Sequence, residues 1–409
     1  MNSLFVGIDV SSTSNAIYFM NPDGTKHSSF SVQNNLNGAI ILSKRVVSAM
    51  SDDKYDNVVF GLESTSVYGD NLVTFLREDF SLSVFDKKIH ILNAKQVRKF
   101  KDSYPDLPKN DYIDSFIIAD NLRFGRIAKE VYMDDYRYKA LQNLTRARFF
   151  AVQNLIKEKQ RFLNYLFMKF STLKSDKVFS DVFGNTSLSV ITEFLSVDEL
   201  AYCDLQYLVE FICKKGKNRF ENPEKVAKAL QTAARSSYRL PKTVNDSVNQ
   251  VLALSISSMN ALKEQIKAFD KAISEQIKLV PNTLESIPGI GPVFAAGIIA
   301  EIGDINRFDN QASLAKYAGL VWTQYQSNTF EAENTRLIKS GNRYLRYYLI
   351  EAADSVRKRN SEYADFYHLK YKEVNKYQHK RALALTARKL VRLVYALLKT
   401  NRLYIASDK

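Results

Sequence analysis

Four carboxylates, Asp9, Glu63, Asp111 and Asp114, are spaced in this sequence as a set that could hold a metal ion. Asp111 and Asp114 stand three apart in Lys109-Asn110-Asp111-Tyr112-Ile113-Asp114, ahead of Ser115-Phe116-Ile117-Ile118-Ala119, a run with helix pattern. Residues three apart on a helix project from one face and can share one or two divalent cations. Capping and the helix macrodipole also favour Asp in a first turn, so the pair alone is compatible with a solvated cap. The two other acids shift the balance toward a metal. Asp9 ends the apolar run Phe5-Val6-Gly7-Ile8, and Glu63 ends Val58-Val59-Phe60-Gly61-Leu62. A carboxylate buried on such a strand is costly unless it finds a cation or lies at an edge. An all-oxygen donor set points to Mg²⁺ or Mn²⁺.

A second group of chemistry-bearing residues lies near the C-terminus. Ser327 falls in a polar loop, Trp322-Thr323-Gln324-Tyr325-Gln326-Ser327-Asn328-Thr329, followed by Arg336, Lys339, Ser340, Gly341, Asn342, Arg343 and Arg346, of which Arg336, Lys339, Asn342, Arg343 and Arg346 are expected to contact nucleic-acid phosphates. A serine beside several cations and a helix start is placed to bind a phosphodiester or to attack one, and the residue types leave both open. Upstream, Pro288-Gly289-Ile290-Gly291 precedes a helix of small residues. That pattern predicts the turn of a helix-hairpin-helix, where Gly289 and Gly291 let backbone N–H groups approach a phosphate. A purely structural turn between helices would read the same way.

The elements that must position these groups follow from the periodicities. A second strand-like run, Ala16 to Met20, follows Asp9. The hairpin signal Asn21-Pro22-Asp23-Gly24 then leads into a third, Ser28 to Val32. A helix over 35–50 separates this meander from the strand ending on Glu63. Antiparallel strands, a helical crossover, acids at two strand ends and two acids on a helix make the layout of a ribonuclease-H-like, or RuvC-like, α/β core. Beyond it, helical spacing over 138–170 and 244–279 brackets a less regular insert, 171–241, and predicts an antiparallel coiled-coil arm. Helices packed in an ordinary bundle would give the same pattern. The expected fold is therefore α/β plus all-α: a metal-dependent catalytic domain over 1–137, a helical arm over 138–280 and a helical C-terminal domain over 281–409.

Composition narrows the function classes. The chain has 409 residues and a net charge of +14. Residues 331–409 carry 18 Lys and Arg against 8 Asp and Glu, whereas residues 1–130 carry 15 against 16. The basic excess is thus C-terminal, as expected of a polyanion-binding surface separate from an acidic metal site. Two cysteines, Cys203 and Cys213, and four scattered histidines argue against zinc chemistry or a disulfide framework. No apolar run is long enough for a membrane span, and the N-terminus has no signal-peptide pattern, so a cytoplasmic protein without a membrane partner is expected.

Taken together these residues resemble the insertion-sequence transposases of the IS110 family. The resemblance rests on GIDVSS around Asp9, GLEST at Glu63, KNDYID at Asp111 and Asp114, IPGIGPVFAAGIIAEIGD from Ile287, FDNQASLAKYAGL from Phe308, Gln326-Ser327 and KSGNRYLRYYLIEAA from Lys339. Two positions depart from the family pattern: Trp322, where relatives often carry Pro, and Asn328, where Gly often follows the serine. The resemblance implies that Asp9, Glu63, Asp111 and Asp114 hold Mg²⁺ and that Ser327 attacks the scissile phosphate and forms a transient phosphoserine bond. It further implies guidance by a structured non-coding RNA that pairs with donor and target DNA. It also implies a homo-oligomer, dimer or tetramer, whose site combines acids and serine from different protomers in the nucleoid of a bacterium or archaeon. The alternative is a Holliday-junction-resolvase-like endonuclease in which the same acids activate water and Ser327 only binds phosphate. A binding protein with a decayed site is disfavoured, because all four acids and the serine stand in order.

Overall fold

The computed structural model describes residues 2–51, 55–63, 67–104, 108, 110–125 and 136–406, apart from 324–325, 328–329 and 332–336; of 326, 327, 330 and 331 it describes the backbone alone. The chain forms two compact units, 1–134 and 135–409. The first is mixed α/β and the second largely helical.

In the first unit, β1 (Ser3–Val10), β2 (Ser14–Met20), β3 (Lys26–Gln33), β4 (Asn57–Glu63) and β5 (Asp86–Leu92) form one sheet in the order β3-β2-β1-β4-β5. β1 to β3 run as an antiparallel meander, and β4 and β5 extend it in parallel from β1. The turn between β2 and β3 follows its sequence: Gly24 takes φ +88°, and the Asp23 side chain accepts from the Thr25 N–H. Strand alternation sorts the side chains onto two faces. Leu4, Val6 and Ile8 join Ile17, Phe19, Val58, Phe60 and Leu62 on one face. Helices α1 (Leu36–Met50) and α2 (Asp70–Glu78) contribute Leu42, Val46, Leu72 and Leu76 to that core. In the other core, Val59 and Leu92 join Val97 of α3 (Ala94–Lys101) and Ile117, Ile118 and Leu122 of α4 (Asp111–Phe124).

α4 lies unusually close to the sheet, and two glycines permit it. Gly7 and Gly61 are register partners on the parallel strands β1 and β4. A Cβ on Gly7 would stand 2.1 Å from the Ser115 carbonyl oxygen and 2.5 Å from the Ala119 nitrogen, and one on Gly61 would stand 2.8 Å from a Leu122 methyl. The glycine pair is a trough into which the helix backbone settles. Asn110 fixes where the helix begins, its side chain accepting from the Ile113 N–H at 2.8 Å, and Gly125 ends it at φ +72°.

In the second unit the long helices α5 (Tyr136–Lys169) and α10 (Lys242–Gln276) run against each other. Between them in sequence come α6 (Asn185–Glu193), α7 (Val197–Ala201), α8 (Leu205–Gly216) and α9 (Pro223–Ser236). Their apolar faces share a core with Phe162 and Leu166 of α5 and Val248, Leu252 and Met259 of α10. Lys169 is buried there and donates to the carbonyls of Ile191 and Phe194 at the end of α6; burial pulls its amine down to about 8. The C-terminal part holds α11 (Pro292–Ile302), α12 (Gln311–Ala318), a ribbon of β6 (Gln326–Ser327) and β7 (Phe330–Glu331), α13 (Arg343–Val356), α14 (Ser361–Lys372) and α15 (Gln378–Thr400). Leu141 of α5 and Ile273 of α10 join its core, so the helix pair is continuous with the C-terminal bundle. Fully buried Tyr348 of α13 donates to the Thr145 carbonyl of α5 at 2.7 Å. No helix among the described residues is long and apolar enough to cross a membrane.

Because Gly7 faces helix backbone, which cannot yield, while Gly61 faces the movable end of a leucine, the two substitutions should differ. Gly7→Ala is expected to destabilise the first unit by about 1–3 kcal/mol, and Gly61→Ala by less. Hydrogen exchange at the amides of β1, β4 and α4 measures both, and equal protection in wild type and Gly7→Ala would refute the trough.

Candidate active site

Two residues beyond the glycine pair, the same strand faces carry Asp9 and Glu63, since side chains two apart share a face. Ile8 and Leu62 are register partners, so the two acids stand side by side where β1 and β4 end. α4 brings Asp111 and Asp114 to them in its first turn. Asp111 and Asp114 lie close enough for their charges to bear on the Asp9 carboxyl, and those of Asp9 and Asp114 on Glu63. Burial, then the charges of Asp114 and Asp111, raise the Asp9 carboxyl from 3.8 to about 6. Burial, then Asp9 and Asp114, raise Glu63 from 4.5 to about 7. Lys101, the last residue of α3, opposes both shifts and places its Nζ 2.6 Å from Asp114 Oδ1.

In chemistry the donor set, four carboxylates short of positive charge, fits a hard divalent cation. As placed, no three acid, histidine or cysteine side chains among the described residues close around one point, and the cation meeting Asp114 is the Lys101 ammonium. Sequence reading missed Lys101, because its approach to Asp114 is a tertiary contact. It also missed the role of Gly7 and Gly61, although the signal was present: each acid-bearing strand carries Gly-x-acid at or next to its end, as Gly7-Ile8-Asp9 and Gly61-Leu62-Glu63.

The residues singled out near the C-terminus are in the second unit. Gly289 takes φ +103°, and a Cβ there would stand 2.8 Å from the Ser355 carbonyl of α13. The turn, entered from one 3₁₀ turn at Leu284–Ser286, is thus fixed by packing on α13, with Ile287 and Ile290 buried beneath it. Gly291 caps α11, and a Cβ added to it would meet nothing within 4 Å. Asn342 caps α13, accepting from the N–H groups of Tyr344 and Leu345 and donating to Glu301 Oε2 at 2.7 Å and to the Tyr317 hydroxyl at 3.1 Å. Glu301 is buried and also takes Arg146, at 2.7 and 2.9 Å. Arg346 donates to the carbonyls of Ala318 and Lys339, and burial lowers its pKa. Both Asn342 and Arg346 therefore spend their side chains on holding α13, whereas Lys339 and Arg343 are exposed. Ser327 pairs through its backbone with Phe330. Arg336 lies outside the described residues, as do Asn328 and Lys109.

Comparison with known proteins matches the segments in which these residues lie. A family model described as "Transposase", for the DEDD-type IS110 enzymes, matches residues 6–170, a span that includes the four acids. A second, "Transposase IS116/IS110/IS902 family", matches residues 282–368, which include the Pro-Gly-Ile-Gly turn, Ser327 and the start of α13. Together they cover more than half of the chain. The chain belongs to the IS110 family of insertion-sequence transposases. Relatives of this transposase include the uncharacterized 44.8 kDa protein of insertion element IS116 from Streptomyces clavuligerus, 26% identical over 322 residues and 76% of each chain. Another is the transposase for insertion sequence element IS1111A of Coxiella burnetii, 29% identical over 156 residues, 36% of this chain and 43% of that one.

The raised carboxyls set a pH dependence. Asp9 and Glu63 hold their protons more tightly folded than unfolded, so the stability they contribute is fully present below their ordinary values of 3.8 and 4.5 and is lost as pH rises through about 6 and 7. In metal-free buffer the Glu63→Gln transposase should melt above wild type at pH 8, and the gap should close toward pH 4. A wild type that melts as high as Glu63→Gln at pH 8 would contradict the crowding of charge.

Proposed function

We propose that this transposase cuts and rejoins DNA strands with Mg²⁺ or Mn²⁺ held by Asp9, Glu63, Asp111 and Asp114 and with Ser327 as the attacking group. The reading is carried by Asp9 and Glu63 at the ends of β1 and β4, whose carboxyls burial and neighbouring acids raise, with Asp111 and Asp114 in the first turn of α4 beside them. A divalent cation bound there would neutralise the carboxylates and a scissile phosphate together. Ser327 Oγ bonds to phosphorus as the bond to the departing sugar oxygen breaks. The seryl proton passes to a carboxylate of the set that is not tied up by the cation, and the departing oxygen takes up a proton. The phosphoserine keeps the diester bond energy, so the hydroxyl of another strand can displace the serine without net hydrolysis.

Three features support the finer parts of this reading. An antiparallel meander extended by two parallel strands, with a helix over the acids, is the ribonuclease-H-like order. The unobstructed backbone at Gly291, at the start of α11, suits a phosphate in the manner of a helix-hairpin-helix. The C-terminal basic excess suits polyanions, here donor and target DNA and a structured guide RNA, with exposed Lys339 and Arg343, and Arg336, as phosphate contacts. In this reading the protein works as a dimer or tetramer, with the serine of one chain serving the acids of another.

The test is chemical. The transposase is incubated with guide RNA and end-labelled DNA, denatured and digested, and the label should remain on a peptide containing Ser327. Ser327→Ala should lose both adduct and strand exchange, and excess chelator should stop cleavage. Cut DNA without an adduct, with Ser327→Ala cutting as well as wild type, would make water the nucleophile and the enzyme a resolvase-like nuclease.

A further inference from the structure

Where α5 meets α13 the surface carries a cluster of aromatic rings, beside Arg343, to which the reading above gives no role. Phe149 and Phe150 of α5 stand edge-to-face with Tyr344 of α13, ring centroids 5.2 and 6.0 Å away. The Arg343 guanidinium lies 4.7 Å from the Tyr344 ring centroid and 5.5 Å from that of Phe150. Apolar packing would bury such rings, yet Phe150 keeps 46% of its surface exposed and Arg343 is exposed beside it.

The charge at this corner is unbalanced. Glu301 is taken by Arg146 and Asp270 by Arg148. Arg343 has no carboxylate partner among the described residues and donates to the Tyr344 hydroxyl at 2.7 Å. Seven residues beyond Phe150 on the same face of α5, Lys157 is exposed and likewise has no carboxylate partner among the described residues, roughly 10 Å along the helix axis. Its neighbour Glu158 is buried and committed to Arg161 and Ser255. An exposed ring beside cations that have no carboxylate partner among the described residues complements one chemistry well: flat π-systems strung on a polyanion.

We propose that this corner is a stacking platform for an unpaired nucleobase of a single-stranded nucleic acid, with Arg343 and Lys157 on the flanking phosphates. The proposal rests on the nucleic-acid reading of the second unit and narrows it. In a duplex each base is already stacked and paired, so the platform favours single strands. Stacking is tolerant of base identity, because every base has a π-face.

Fluorescence anisotropy with full-length protein tests this, using labelled oligothymidylate, the matching oligouridylate and a duplex of equal length across a salt series. Wild type should prefer single strands. Phe150→Ala should weaken single-strand binding by roughly tenfold, with the protein still folded and with duplex affinity and the salt slope unchanged. Phe150→Leu, which keeps apolar bulk, should fail as Phe150→Ala does, and Phe150→Trp should restore binding. A loss confined to the thymidylate or the uridylate assigns the base to DNA or to RNA. Single-strand binding unchanged in Phe150→Ala and Phe150→Leu overturns the platform while leaving the nucleic-acid reading intact. A wild type that binds none of the three probes overturns both.

Discussion

The candidate site depends on the absence of two side chains. α4 can lie with its backbone on the sheet because Gly7 and Gly61, side by side on parallel strands, present no Cβ to the Ser115 carbonyl or to Leu122. That contact sets the height and axial position of the helix, and with them where Asp111 and Asp114 come to rest. Asp9 and Glu63 need no separate positioning, because they directly follow Ile8 and Leu62, the last pair of the register that also pairs the glycines. One close approach thus gathers carboxylates from three elements separated by long stretches of chain.

The gathering is unfavourable in itself. Burial and mutual repulsion hold Asp9 and Glu63 toward their protonated forms, and Lys101 offsets only part of this. A packed helix on a glycine trough can sustain such crowding, where a mobile loop would relax away from it. Stability is given up locally to keep these charges together, and strongly perturbed carboxyls of this kind gather at functional sites more often than at purely structural ones.

Much of this was legible in the sequence. The acids stood out because each ends an apolar strand run or opens a helix, and the structure puts them at those places. The meander was legible from Asn21-Pro22-Asp23-Gly24, and the two long helices from their spacing, with α5 at Tyr136–Lys169 and α10 at Lys242–Gln276 against expected spans of 138–170 and 244–279. Pairings across the fold were not legible. Nothing in the Lys101 neighbourhood announces Asp114. Asn342 and Arg346 read as phosphate contacts by type, but side-chain type does not reveal that a cap and two carbonyls already claim them. Gly289 and Gly291 look equivalent in sequence, yet one answers to the α13 backbone and the other to open space.

The central claim is that the docked helix creates a divalent-cation site from four carboxylates. Calorimetric titration of Mg²⁺ into the full-length protein near pH 8 tests it most directly. The account predicts binding by wild type and a loss of at least roughly tenfold in Asp9→Asn, Glu63→Gln, Asp111→Asn and Asp114→Asn. It also predicts weaker binding in Gly7→Ala, which alters no ligand. Undiminished Mg²⁺ affinity in the four acid variants, or in a folded Gly7→Ala protein, would contradict it.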